Sequence, residues 1–175
     1  MKKLRSSLKL ILALVLCLGV KQASSQITVS TTNTFTNNNG SGTVTFNFEN
    51  TNTSDIIITD IEAITGSSGT FSVDFWYKTT PVNGAPGAIS VANGWTLVAT
   101  GTITGVANTT STTTQSFFSG LNFNVPAGAL YGFAVSAYNG TAGVQRYHTI
   151  VAPNLPTVTM SAGGCNIITG TNIGY

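Results

Sequence analysis

Residues able to do chemistry are few in this 175-residue chain, and most are spaced in ways that argue against catalysis. The single histidine is His148, in "VQRYHTIV". A Ser–His–Asp relay needs such a base beside an orienting carboxylate and a nucleophile raised on a sharp turn. No G-x-S-x-G turn occurs, and His148 shares strand parity with Arg146, so an ordinary polar face accounts for both. Asp60 and Glu62, in "TDIEAI", are two residues apart and fall on one strand face. A glycosidase needs its two carboxyl groups across a cleft, about 5–10 Å apart. The chain is therefore expected not to be an enzyme.

Metal chemistry has one candidate. "ENTNTSD" gathers Glu49, Asn50, Asn52 and Asp55, all hard oxygen donors suited to calcium. The spacing is not that of an EF-hand loop, and Asn, Asp, Ser and Thr are also common turn residues. One histidine and a lone mature cysteine cannot close a zinc site. No glycine-rich phosphate loop precedes a helix, so no nucleotide cofactor is expected. Sequons begin at Asn39, Asn52, Asn108 and Asn139 and matter only in a glycosylating host.

The aromatic residues remain. "SVDFWYKTTP" sets Trp76 beside Tyr77, and neighbours on a strand point to opposite faces. Trp76 falls on the parity of Asp74 and Lys78, where a flat ring with polar neighbours could stack on a sugar. Trp95 is a second ring available for such a platform, and the long segment Thr80–Gly94 between the two could wall the site. The competing reading buries Trp76 under that loop, as large aromatics usually are buried. The sequence favours the covered ring.

These residues need strands to position them. "TVTFNFEN" alternates Val44, Phe46 and Phe48 against Thr43, Thr45 and Asn47. "TFSVDFWYK" aligns Phe71, Val73, Phe75 and Tyr77; "GWTLVATGTIT" aligns Trp95, Leu97 and Ala99; "LNFNVP" and "LYGFAVSAY" continue the pattern. A period of two in β-branched and aromatic segments reads as half-buried antiparallel strand. Turn signals such as "NNNGSG", "PVNGAPG" and "YNGTAG" punctuate the segments, and no amphipathic helix of useful length follows the leader. The expectation is an all-β, antiparallel two-sheet β-sandwich of about nine strands with jelly-roll-like crossings. The Thr-rich stretches lack the constant period that an ice-binding ladder needs.

The first 25 residues read as a leader. "MKKLRSSLK" is basic, "LILALVLCLGV" is apolar, and Ala23 and Ser25 suit cleavage before Gln26. The apolar run is too short for a membrane span, which takes about 20 residues. Acylation at Cys17 is the rival reading, but Leu16 is not the small residue which that chemistry prefers. With the leader removed, Lys78 and Arg146 face Glu49, Asp55, Asp60, Glu62 and Asp74, so the whole-chain charge of +2 becomes net negative. No basic cluster is left to bind nucleic acid. Cys165 has no mature partner cysteine and reads as a small buried hydrophobe.

The succession "VDFWYKT", "WTLVATGTIT", "FNVPAGALYGFAVSAY" and "GTNIGY" resembles a β-sandwich module of bacterial secreted and cell-surface proteins. Such proteins are often multidomain and end in a sorting tail, as in the type IX systems of Bacteroidetes. The resemblance covers about residues 40–175 and supplies no catalytic residues. It implies a further strand after "GTNIGY", so residues 26–175 are expected to form one domain lacking a final strand or downstream domains. The combined expectation is a secreted or outer-surface module with a structural or adhesive role. Its alternative is a carbohydrate-binding module, with extracellular glycans or other surface proteins as partners.

N-terminal sequencing of secreted material should begin at Gln26, and intact mass should show no diacylglyceryl group on Cys17.

Overall fold

The alternation of "TFSVDFWYK" becomes a ten-residue strand, β4 (Gly69–Lys78), with Phe71, Val73 and Phe75 fully buried on one face. The computed structural model describes residues 26–30, 42–107, 114–140, 142–146 and 158–169. The leader, His148 and the "GTNIGY" segment lie outside the described residues. In chain order the remaining strands are β1 (Thr43–Asn50), β2 (Ile56–Ile58), β3 (Ile61–Thr65), β5 (Thr96–Gly105), β6 (Gln115–Phe118), β7 (Phe123–Val125), β8 (Leu130–Asn139), β9 (Ala142–Gly143), β10 (Gln145–Arg146), β11 (Val158–Ala162) and β12 (Cys165–Thr169). Among the described residues the one helical turn is a short 3-10 segment, Val91–Asn93.

The fold is antiparallel and all but entirely β among the described residues. The largest sheet has seven strands in the order β11-β12-β1-β8-β4-β5, with β9 hanging from β8. Two smaller sheets, β10-β3-β6 and β2-β7, complete the hydrogen-bonded structure. This partition differs from the expected nine strands in two sheets. The extra strands β2, β9 and β10 are only two or three residues long, too short for a period of two to be legible. A register shift at Ile61/Glu62 also interrupts the β3–β6 ladder.

The core lies on one face of the large sheet. Phe48, Val73, Phe75, Phe133 and Val135 meet Phe117 and Phe118 from β6 and Val125 from β7. Ile56 and Ile58 of β2 and Ile61 and Ala63 of β3 close over them. Phe133 is the hub: Phe48 stacks on it at 5.3 Å, and Phe75 and Phe46 meet it edge-on at 5.1 and 5.6 Å. Offset and edge-to-face pairs of this kind add about 0.5–1.5 kcal/mol each beyond their burial. Cys165 sits in this core as a free buried thiol, as its isolation in the sequence implies. Burial raises its pKa, partly opposed by the Asn52 amide, which keeps it in the unreactive thiol form.

The pairing of β4 with β5 corrects one expectation. Phe75 stands opposite Ala99, but Trp76 stands opposite Leu97, so Val98 is an extra residue in the ladder. Such a bulge moves all later residues to the opposite parity. Ala99 and Val98 pack against the main core, whereas Trp95 belongs to a separate cluster with Trp76. Trp95, Leu97 and Ala99 therefore do not share a face.

Phe75→Ala should lower unfolding free energy by about 3–5 kcal/mol, read from urea or guanidinium denaturation. Ser72→Ala, at an exposed site of the same strand, should change it by less than about 0.5 kcal/mol.

Candidate functional site

The opposite face of the large sheet carries the feature of functional interest. Along β8 that face is formed by small residues, Gly132, Ala134 and Ser136, all buried. The segment 79–95 folds down over them. Asn47 of β1 holds it: Val82 N–H donates to Asn47 Oδ1 at 2.7 Å, and Asn47 Nδ2 donates to Val82 O at 3.1 Å. Gly132 N–H donates to Thr80 O at 3.2 Å beside this pair. A Cβ on Gly132 would come within 2.9 Å of both Thr80 O and Val82 Cγ2, so the loop can lie this close only over a glycine.

Docking the loop creates a second, smaller core. Val82, Trp95 and Ala134 are buried together, with Trp76 and Ile89 packed against them. Trp95 is only 1% exposed, and Lys78 Nζ lies 5.1 Å from its ring centroid, within cation–π range. The indole Nε1 of Trp95 is buried without an acceptor. A 3-10 turn closed by Gly94, at φ 79°, returns the chain to β5.

Beside this core the loop and the sheet leave a groove of about 570 Å³. Its floor is the outward row of three strands: Thr43 and Thr45 from β1, Asp74 and Trp76 from β4, and Ser136 and Tyr138 from β8. The loop segment Ala85–Ile89 forms its wall. Thr43 Oγ1 lies 3.0 Å from Ser136 Oγ and 2.6 Å from the Tyr138 hydroxyl, so the three hydroxyls form one cluster. Thr45 is 2% exposed and its Oγ1 has no hydrogen-bond partner among the described residues. Among the described residues Asp74 is the only formally charged one in the lining.

The expected sugar-stacking set is thus divided. Asp74 and Trp76 come together in the groove. Lys78 does not line it and instead lies over Trp95, whose buried ring has no face to offer a ligand. The bulge at Val98 puts Trp95 on the same face as Trp76, but the docked loop buries it there with Val82 and Ala134, and the sequence carries no local sign of that docking. Trp76 is half-buried, both packed against the loop cluster and lining the groove, so it is neither a bare platform nor a fully covered ring. The hydroxyl cluster was missed. Its residues sit on the polar parity of β1 and β8, but their meeting depends on a pairing across more than ninety residues.

The expected calcium donors each hold hydrogen bonds within the protein. Asn50, fully buried, uses its amide as a clamp: Nδ2 donates to Ser54 O, Val125 O and Pro126 O at 3.0–3.1 Å. Its Oδ1 accepts from the backbone and side-chain N–H of Asn52, both at 3.0 Å. Asn52 in turn donates to Gly163 O and Gly164 O. Glu49 accepts from Asn166 Nδ2 at 2.7 Å, on the other parity of β1. Asp55 accepts from Ala127 N–H at 3.0 Å and Asn124 Nδ2 at 3.1 Å, and these bonds hold its pKa below the usual carboxylate value. The oxygens of Asn50 and Asp55 thus serve to join turns. Among the described residues no three His, Cys, Asp or Glu side chains group as a metal site. Asp60 and Glu62 are both exposed, and Glu62 accepts from the Thr114 hydroxyl.

No known family matches the chain, and neither a curated protein nor a solved structure matches it.

Asn47→Ala should release the loop. Losing the acceptor for the buried Val82 N–H should cost about 1–3 kcal/mol, and acrylamide quenching of tryptophan fluorescence should rise as the small core opens. Unchanged stability together with unchanged quenching would show that the loop is held by something else.

Proposed function

We propose that the protein is a non-catalytic module of a secreted or cell-surface protein, with a structural or adhesive role. In this reading the two small sheets together serve as one interrupted layer of a β-sandwich, facing the seven-stranded sheet across the aromatic core. The observation that carries the proposal is the docked loop. It is fixed to the sheet by paired amide bonds and leaves a formed groove on the face away from the core. A preformed recess on a rigid sheet suits recognition of a partner at little ordering cost.

The composition supports an extracellular setting. With only 7% charged residues, the surface is kept wet by hydroxyls and amides, whose interactions change little with ionic strength. The basic-then-apolar leader and the resemblance to bacterial surface modules point the same way. A carbohydrate-binding role is the second reading, favoured specifically by the meeting of Asp74 and Trp76 in the groove.

Beads coated with the full chain should adhere to the producing cells or their extracellular matrix well above albumin-coated beads. The same preparation should turn over no polysaccharide, ester or peptide substrate. Albumin-like adhesion or measurable turnover would each count against this reading.

A further inference from the structure

The groove's hydrogen-bonding character selects among ligands. Three hydroxyls, those of Thr43, Ser136 and Tyr138, carry three protons and six lone pairs between them. Among the described residues their two mutual bonds use two protons and two lone pairs, leaving one proton and four lone pairs. The Asp74 carboxylate beside them is a pure acceptor when ionised. The floor therefore has a surplus of acceptors, and its natural complement is a ligand rich in hydrogen-bond donors. The bare, buried Oγ1 of Thr45 on the same floor is a second sign that its polar groups are not completed by the protein alone.

Charge and shape narrow the choice. Among the described residues the lining holds a carboxylate and no cation, so an acidic ligand would meet repulsion from Asp74. Trp76, Pro86 and Ile89 give the groove an apolar side opposite the hydroxyl row's chemistry. A pyranose has that combination: donor hydroxyls around its rim and an apolar C–H face that lies against an aromatic ring. A volume of about 570 Å³ is within the range of small-molecule sites, about 300–1,000 Å³.

We infer that the groove between β1, β8, β4 and the Ala85–Ile89 segment binds a short neutral oligosaccharide. Asp74 and the Thr43–Ser136–Tyr138 cluster accept its hydroxyl protons, and Trp76 bears on its C–H face. The inference rests on the binding role proposed above and names the ligand class. It leaves Lys78 and Trp95 out of contact with the sugar.

The test is a panel of immobilised neutral glycans (gluco-, galacto-, manno- and xylo-configured) beside uronate-containing, sulfated and peptide panels, using the full chain. Binding should be confined to neutral glycans. By calorimetry on the best neutral ligand, Asp74→Ala and Tyr138→Phe should each weaken affinity about tenfold. Raising salt from about 50 to about 500 mM should change it less than about twofold, since no ion pair is formed. A cationic ligand held by Asp74 would instead show steep salt dependence and overturn the inference. Ligand-induced tryptophan fluorescence should persist in Trp95→Phe and vanish in Trp76→Phe. Circular dichroism of each variant confirms that it is folded, and Tyr138→Phe keeps the ring so that packing is preserved. The inference fails if no neutral glycan binds, if acidic glycans or peptides bind instead, or if both groove variants bind as wild type. Bead adhesion that survives while neutral glycans fail would overturn the ligand class and leave the adhesive role standing. Glycan binding without bead adhesion would do the reverse.

Discussion

The outer face of the large sheet depends on the small side chains that β8 turns outward. A central strand with Phe133, Val135 and Ala137 on its inner face could carry large polar residues on the other and remain open to water. Here Gly132, Ala134 and Ser136 make that face low, and low ground can be covered closely. The loop 79–95 reaches the backbone at Gly132, buries Val82 and Trp95 over Ala134, and stops short of Ser136, where the groove begins. One strand thus sets the loop's contact, the position of the second core and the floor of the recess. Its inner residues anchor the main core through Phe133.

Neutral amides perform the joining that ion pairs perform in more highly charged proteins. Asn47 ties the loop to the sheet, and Asn50 ties its own turn to the Val125–Pro126 turn from a fully buried position, with Asn52 extending the link to Gly163 and Gly164. A buried amide with both ends satisfied holds its partners without the desolvation penalty of a buried charge, which amounts to several kcal/mol per ion. The cost falls on tolerance of substitution: each clamp leaves several unpaired backbone groups when its side chain is removed. Gln115 extends the pattern, linking Thr65 and Val106 between the small sheet and the end of β5.

Much of the fold was legible where the period of two runs unbroken. β4 buries the face its alternation implies, and Leu121, Phe123 and Val125 all reach the core. β1 and β8, by contrast, are covered on both faces, with Thr45 and Asn47 buried more fully than Val44 and Phe46. Legibility ended where one residue was inserted. The extra Val98 turned Trp95 away from the main core, and no local signal in "GWTLVATG" marks it. The Asn-rich turn after β1 was open to two readings because amides that ligate cations are the same groups that cap turns, and only the distant partners, Val125, Pro126 and Gly164, decide between them. That Asp74 and Trp76 share a face followed from parity on one strand, but parity could not show that a groove opens beside them. The hydroxyl cluster required knowing that β1 and β8 are neighbours, which depends on chain topology and not on any nearby residue.

The loop that walls the groove is held at its ends and open in between. Val82 and Trp95 are its buried anchors, while Gly84 and Gly87 lie at positive φ with no atom near the place where a side chain would begin. Apart from Ile89, which packs on the second core, and the two glycines, whose positive φ disfavours a side chain, residues in the intervening stretch can be exchanged with the sheet, the main core and the hydroxyl floor left intact. Such an arrangement separates what must stay constant for folding from what can vary for recognition. It makes the sheet a frame on which related chains could diversify their ligands by changing only a handful of wall residues.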